Sequence, residues 1–587
     1  MRQIWYAENL ETIAKRCLQE GTKTVPELFE SLSKGTLRFM ADNRYNPTKA
    51  LVADWNHLMR VFLRPEDDAS RQTLIKYMEQ MLFGLHDFLK KHVGITEAKS
   101  LKELSENFRN TVISEDPEKK LADVITCLIK EIAPHAVNVA SPYFVGHMTS
   151  AIPFFMVHLK AIVSALNQNV VKVETSKVVS VVEKQVIAKI HNMIYRRGSL
   201  FYEEHVQNTE TTLGVFTEGG TTANLTALWV ARNAKFAPKE DFEGIEAEGI
   251  PAAFAAYGVD RCVILASRLA HYSVRKSAGV LGLGNNAVIP VDIDDDYRMD
   301  IGALKRVIRE IRSGPQRTCI LAIVGIAGAT ETGTIDPLSE ISQVAHENGI
   351  HFHVDAAWGG PTLFSRQYRY LLDGIQYSDS VTIDGHKQFY MPMTCGMLYV
   401  RDPKLLDVIA YHSNYVNRRG SVDLGIRSLS GSREANSLVL DCALKIMGAN
   451  GYALLINHGI ETAAAFAEEI ENRENFQLIT QPVLNILTYR YCPAHVQEKL
   501  AAAGEEEKER INWHLNMLNR DLQRIQREAG NSFVSRTTLR QNTFSPTEIV
   551  VLRSVIMNPM TGISILEEIL DEQEQIAENH LTARLPV

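Results

Sequence analysis

Residues 350–360 read IHFHVDAAWGG, and residues 379–396 read DSVTIDGHKQFYMPMTCG. Ile350, Phe352 and Val354 alternate with His351 and His353, and Asp355 closes the run. Alternation of this kind predicts a short buried strand that ends in a carboxylate. Helix-compatible sequence follows from Pro361 to Asp373. A second short strand is predicted from Ser380 to Ile383, running into Asp384-Gly385-His386-Lys387. A strand–helix–strand unit of this length joins two parallel strands, whose C-terminal ends point the same way. Asp355 and Lys387 are therefore expected on one edge of the sheet, where open α/β sheets bind ligands.

An aspartate and a lysine on such an edge suit a covalent cofactor. A lysine amine forms a Schiff base with an aldehyde. A carboxylate on a pyridine nitrogen keeps the ring protonated and able to accept electrons. Pyridoxal phosphate needs both groups and an anion site. Taken singly, Asp355 reads as a turn cap and Lys387 as a surface lysine. Their pairing, beside His386 and ahead of Cys395-Gly396, carries the functional reading.

Working outward, residues 212–234 (TLGVFTEGGTTANLTALWVARNA starts at Thr212) read as strand, tight turn and helix. Gly219-Gly220 lets backbone approach a ligand closely, and the helix start presents free N–H groups suited to a phosphate. Thr221 and Thr222 add hydroxyls. The turn has neither a G-x-G-x-x-G nor a G-K-[ST] pattern, which argues against dinucleotide and P-loop sites. Further strands are predicted at Cys262–Ala266, Val288–Val291 and Cys319–Gly325. Residues 236–258 read as a surface loop or inserted helix. Strands alternate with helices from about 212 to 400, which predicts a mainly parallel doubly wound α/β sheet.

On this reading residues 1–135 form a helical N-terminal segment, with Leu74, Met78, Met81, Leu82, Leu85, Phe88 and Leu89 at helical spacing. Residues 136–433 form the large ligand-binding domain. Residues 434–587 form a small α+β domain with strands at Phe476–Ile479, Leu484–Tyr491 and within EIVVLRSVIMNP, and a long helix from Glu505 to Gly530. The Gly, Ser and Asn content of 401–433 suggests a mobile loop.

A chain of 587 residues is long enough for several domains. A net charge of −8 gives no reason to expect nucleic acid. Seven scattered cysteines without a C-x-x-C pair argue against a disulfide framework or a structural zinc site, so no metal is expected. The N-terminus lacks a secretion pattern, and apolar runs such as Cys319–Ala329 are too short to span a bilayer. A cytoplasmic enzyme without membrane partners is the expectation.

HVDAAWGG followed by DGHKQ resembles the signature pair of the group II pyridoxal-phosphate-dependent amino-acid decarboxylases, and further matching phrases run from about Ser141 to Pro559. The resemblance implies the fold-type I architecture with a seven-stranded sheet and a homodimer whose N-terminal segment packs on the partner. It implies pyridoxal 5'-phosphate bound to Lys387, with Asp355 on the ring nitrogen and the phosphate at Gly220 and Thr221, with His386 assisting. His271 would stack on one ring face and Ala357 on the other, with Thr330 nearby. Arg553 would bind the substrate α-carboxylate, while Phe144 and His147 of SPYFVGHMTS (141–150) would line the substrate pocket. Tyr415 would protonate the carbanion from a flexible loop, and its other reading is an ordinary loop tyrosine. Phrases such as LNQNVVKVETSK (166–177) are most similar to members acting on aspartate. The implied reaction is L-aspartate to β-alanine and CO2, with glutamate to γ-aminobutyrate as alternative. Another fold-type I lyase or an aminotransferase remains a rival. His147, Arg418 and Arg419 are candidates to meet an acidic side chain.

Overall fold

The computed structural model describes residues 68–91, 93–94, 101–413, 421–540 and 548–581. Seven strands form the principal sheet: β1 (Gly214–Thr217), β2 (Arg261–Ser267), β3 (Val288–Val291), β4 (Thr318–Ile326), β5 (His351–Asp355), β6 (Ser380–Asp384) and β7 (Gly396–Val400). Their order is β1-β7-β6-β5-β4-β2-β3. The β2–β3, β2–β4, β4–β5 and β5–β6 pairs are parallel, whereas β7 runs antiparallel to both neighbours. The reversal follows from chain length, because residues 385–395 are too few for a parallel crossover. The mainly parallel seven-stranded sheet is as anticipated.

Helices cover both faces, so the strands are buried on both sides, as parallel sheets require. Every residue of β6 and β7 is buried. The alternation along β5 consequently does not separate a wet face from a dry one. His353 is fully buried, and Asp355 is nearly so.

One sequence expectation changes. The β5–β6 connection is not an α-helix over 361–373 but three 3-10 turns, Gly360–Phe364, Arg369–Leu372 and Ile375–Tyr377. Ser365 interrupts it by turning its hydroxyl to the Tyr368 N–H at 3.0 Å, an alternative to a helical backbone bond. Of the two readings of residues 236–258, the inserted helix is the one found, Ile245–Tyr257, broken at Gly249 where φ is 79°.

A second, antiparallel sheet has the order β10-β11-β9-β8, from β8 (Phe476–Thr480), β9 (Ile486–Tyr491), β10 (Ser535–Arg540) and β11 (Glu548–Val555). The polar SRTTLR of β10 carried no strand signal of its own; pairing with β11 decides it. The helices Glu505–Ala529 and Ile563–His580 pack Leu515, Leu522, Leu566 and Leu570 against this sheet. Helix Asn436–Asn472 is long and apolar enough in composition to cross a bilayer. It is kinked at Gly448, and its apolar residues enter two cores. Leu440, Tyr452 and Ile456 pack with the large sheet, while Phe466 and Ile470 pack with the small one.

Residues 83–107 and 131–587 cluster as one compact unit, and residues 1–82 and 108–130 as another, each over its described part. In the latter, Gln80 Nε2 donates to Thr126 Oγ1 at 3.2 Å.

Helix Val178–Tyr195 buries His191 against the large sheet. Its Nε2–H donates to the Val400 carbonyl at 3.0 Å, and Nδ1 accepts from the Tyr202 hydroxyl at 2.8 Å. Both nitrogens are thus used by the neutral ring, and burial pushes the pKa down to about 3. The unfolded imidazole takes up a proton near pH 6.5 and the folded one does not, so this group lowers stability as pH falls from about 6.5 towards 3, by about 1.4 kcal/mol per pH unit. Between pH 7 and pH 5 the wild type is expected to lose about 2 kcal/mol relative to His191→Phe in denaturant unfolding. Identical pH slopes in the two proteins would refute this account.

Candidate active site

The C-terminal ends of β1, β2, β4, β5 and β6 meet at one edge, around a cavity of about 500 Å³. After β1, Gly219 adopts φ 149° and leads into helix Gly220–Lys235. A Cβ on Gly220 would lie 2.8 Å from Asp384 Oδ2, so glycine is what allows the helix start to pack on the end of β6. Thr221 and Thr222 line the cavity beside it, where free first-turn N–H groups favour an anion.

Lys387 follows β6 and places Nζ 3.1 Å from Asp384 Oδ2. Asp384 Oδ1 is buried with no protein partner. Asp355, at the end of β5, accepts from Asn224 Nδ2 at 2.8 Å and from the Ala357 N–H at 3.2 Å. His386 donates from Nδ1 to the Cys395 carbonyl at 2.7 Å. His271 lies beyond β2, with Nδ1 2.9 Å from Ser273 Oγ. Its pKa is lowered chiefly by burial; Asp355 and Asp384 oppose the shift, and Lys387 adds to it. Thr330 and Ala357 also line the cavity.

Arg553 reaches the cavity from β11 of the small sheet. Its Nη1 donates to the Gly146 carbonyl at 3.3 Å and to Ser535 Oγ at 3.2 Å, while Nε and Nη2 are buried without a partner. Burial pushes its pKa down to about 10, and Glu331 pulls in the opposite direction. Burial likewise raises the Glu331 pKa, against the pull of Arg553. His147 lines the same cavity, and its pKa is lowered by burial and then by the charges of Arg553, Lys387 and His386.

Lys387, Asp355, His271, Gly220, Thr221, His386, Ala357, Thr330, His147 and Arg553 are thus brought together. Phe144 is not. Its ring is buried 5.1 Å from that of Phe533, stacked away from the cavity, because residues 144 and 533 bridge as short extended segments. Tyr415, Arg418 and Arg419 lie outside the described residues. Asn224 and Asp384 were not singled out in the sequence. Asn224 stands one helical turn after Gly220, and Asp384 three residues before Lys387. Both spacings place side chains on a shared face or at a shared end, which was the available signal.

Residues 104–492 match the family described as pyridoxal-dependent decarboxylase conserved domain. The chain is similar to a protein named aspartate 1-decarboxylase from Aliivibrio fischeri, 42% identical over 529 residues, which is 90% of this chain and 96% of the relative. It is also similar to an L-2,4-diaminobutyrate decarboxylase from Rhizobium meliloti, 30% identical over 398 residues, covering 66% of this chain and 74% of that one. The crystal structure of mouse CSAD shares the fold, with a TM-score of 0.73 at 23% identity, over 86% of this chain and 99% of that one. The chain belongs to the pyridoxal-dependent decarboxylase family: it is an amino-acid decarboxylase whose cofactor is pyridoxal phosphate.

The residues present fit that cofactor. The cavity holds an amine at Lys387, a buried carboxylate at Asp355 and a glycine-built helix start. The Gly220 contact yields a test. Gly220→Ala should displace the Asp384 carboxylate and weaken cofactor binding at least about tenfold while the chain stays folded, as read by absorbance titration and circular dichroism. Wild-type affinity in the variant would show that the close approach is not needed.

Proposed function

We propose that this decarboxylase removes the α-carboxyl group of L-aspartate, giving β-alanine and CO2. The observation that carries an amino-acid carboxylate into the cavity is Arg553, buried there with two guanidinium N–H positions open. An arginine fork takes a carboxylate in bidentate fashion. A buried cation with open donors gains most when an anion arrives.

When bound, pyridoxal phosphate supplies a π-system that accepts the electron pair of the breaking bond between Cα and the carboxylate. Lys387 would hold it covalently through Nζ, and before it binds, Asp384 at 3.1 Å orients that amine. Asp355 would keep the ring nitrogen protonated. Gly220 and Thr221 bind the phosphate with help from His386, His271 and Ala357 flank the ring, and Thr330 stands nearby. Arg553 would bind and orient the α-carboxylate that is lost. Tyr415 then delivers a proton to Cα in place of the departed carboxylate.

Aspartate as substrate is supported by the 42% identity to the Aliivibrio fischeri protein named for that activity. The electrostatics favour an acidic side chain over a diamine. His147 already feels Arg553, Lys387 and His386, and a second ammonium would add to that repulsion. His147 is the group proposed to read the distal carboxylate, with Arg418 and Arg419 as further candidates. Glutamate is the alternative, one methylene longer, a difference a pocket discriminates by about 1–3 kcal/mol. A homodimer in the cytoplasm completes this reading. The exposed apolar side chains of Phe154, Val157 and Ile162 support the homodimer.

Purified protein supplied with pyridoxal phosphate and equal aspartate and glutamate should form mostly β-alanine. Mostly γ-aminobutyrate would overturn the aspartate assignment. Lys387→Ala should abolish turnover. Arg553→Gln should lower kcat/KM about 100-fold or more while the cofactor still binds, since losing one partner of a buried charged pair costs about 2–5 kcal/mol. Unchanged kcat/KM in Arg553→Gln would remove Arg553 from substrate binding.

A further inference from the structure

The polar face of β5 is closed over by helix Gly220–Lys235 and by Ser380 of β6, and its side chains form one connected hydrogen-bond chain. His351 Nε2 and His353 Nδ1 each lie 2.8 Å from Ser380 Oγ. His353 Nε2 lies 3.0 Å from Asn224 Oδ1. Asn224 Nδ2 lies 2.8 Å from Asp355 Oδ2 and 3.0 Å from Ser273 Oγ. Ser273 Oγ in turn lies 2.9 Å from His271 Nδ1, which also receives the Ser273 backbone N–H at 3.3 Å. Asn224, Ser273 and His353 are all buried.

The hydrogens in this chain can be assigned from chemistry alone. An ionised Asp355 only accepts, so the Asn224 atom facing it is the amide nitrogen. That nitrogen has two hydrogens, and the second goes to Ser273 Oγ. Having accepted, the Ser273 hydroxyl turns its own hydrogen to His271 Nδ1. Two donors then converge on that nitrogen, so the His271 proton resides on Nε2. On the other side, Asn224 Oδ1 can only accept, which puts the His353 proton on Nε2. His353 Nδ1 is then bare and accepts from the Ser380 hydroxyl, which accepts in turn from His351. Burial pushes the His353 pKa down to about 4, so its ring is neutral as this count requires. One amide thus satisfies three partners with its one acceptor and two donors, a set that neither Asp nor Ser provides.

We propose that Asn224 is a positioning residue for the decarboxylation: its amide holds the Asp355 carboxylate in place for the cofactor ring nitrogen and, through Ser273, locks His271 as the Nε2–H tautomer, with His353 fixing which way the amide points. This rests on the reading of Asp355 as the ring-nitrogen partner. It couples two groups that approach the ring from different strands, the carboxylate after β5 and the imidazole after β2. It also defines what His271 can do. Its free ring nitrogen is a hydrogen-bond donor, not a base.

The test uses the full chain labelled with ¹⁵N-histidine, with His271 assigned by its loss in His271→Gln. Without substrate, wild-type His271 should show a protonated Nε2 and a bare Nδ1. Asn224→Ala should release that preference and weaken pyridoxal phosphate binding. It should also lower kcat about 10–100-fold, the usual range for loss of an orienting partner, with KM within about twofold. His353→Leu should behave alike, whereas His353→Gln, which keeps an N–H donor facing Asn224, should restore the wild-type tautomer and most of the activity. A purely structural role would lower thermal stability and activity together, without moving the tautomer and without rescue by glutamine. Wild-type His271 protonated on Nδ1, or an unchanged tautomer in Asn224→Ala, would overturn the proposal. An altered tautomer with unchanged cofactor affinity would overturn its Asp355 half. Should Asn224→Ala fail to fold, the wild-type spectrum and the His353 pair decide. An error in the substrate assignment leaves these readouts untouched, since the tautomer is read before substrate is added.

Discussion

The parallel alignment of β2, β4, β5 and β6 is the constraint on which the site depends. Parallel strands deliver their carboxyl ends to one edge, and each strand here releases a chemically useful residue there. Asp355 ends β5, Asp384 ends β6 with Lys387 just beyond it, and His271 follows β2. The helix after β1 starts at the same edge, against Asp384. Residues far apart in the chain therefore share one cavity because the backbone direction is shared, before any side-chain interaction is considered.

Arg553 arrives by another route. It belongs to the antiparallel sheet, and its position depends on how that sheet is tied to the large one. The buried Trp358 indole donates to Asn485 Oδ1 at 2.9 Å, and Asn485 Nδ2 donates to the Ile556 carbonyl at 2.9 Å. The Val555 N–H reaches the Val145 carbonyl at 2.6 Å. These bonds link the stretch after Asp355, the 141–147 segment and the end of β11. Small shifts in any of the three would move the guanidinium relative to the lysine, and such shifts matter because positioning carries much of the rate in reactions of this kind.

The buried polar groups of the site are unevenly satisfied by the protein itself. Arg553 keeps two nitrogens open in a buried place, Asp384 keeps one oxygen open, and His147 is discouraged from protonating by burial and then by the cations around it. Buried polar groups left unpaired cost stability. The open guanidinium donors of Arg553 suit a carboxylate, so its burial favours an anion at that place. The Asn224 amide has the opposite character: its one acceptor and both of its donors are used. Complete satisfaction of that kind is what holds a carboxylate and an imidazole in single orientations.

The sequence by itself determined the sheet type, most of its strands and the chemistry at the edge. Those depend on local alternation in β5, on glycines at the turn before Gly220–Lys235, and on residue types that few reactions need together. It also placed Lys387, Asp355 and His271 correctly relative to strand ends, because a strand end is a local event. Only the tertiary structure decided which polar residues are buried and what they touch. The alternation of His351 and His353 with apolar residues predicted a short buried strand, but not what the histidines touch. His353 is interior, with Nε2 3.0 Å from Asn224 Oδ1 of the Gly220–Lys235 helix, a contact made across more than a hundred residues of chain. Asn224 looked like an ordinary helix residue for the same reason, and the polar β10 became a strand only beside β11. Phe144 was expected at the pocket but packs on Phe533, since its direction is set by a bridge to a distant segment. Periodicity reports which residues share a face; it does not report what covers that face, and burial, hydrogen-bond partners and tautomers follow from the cover.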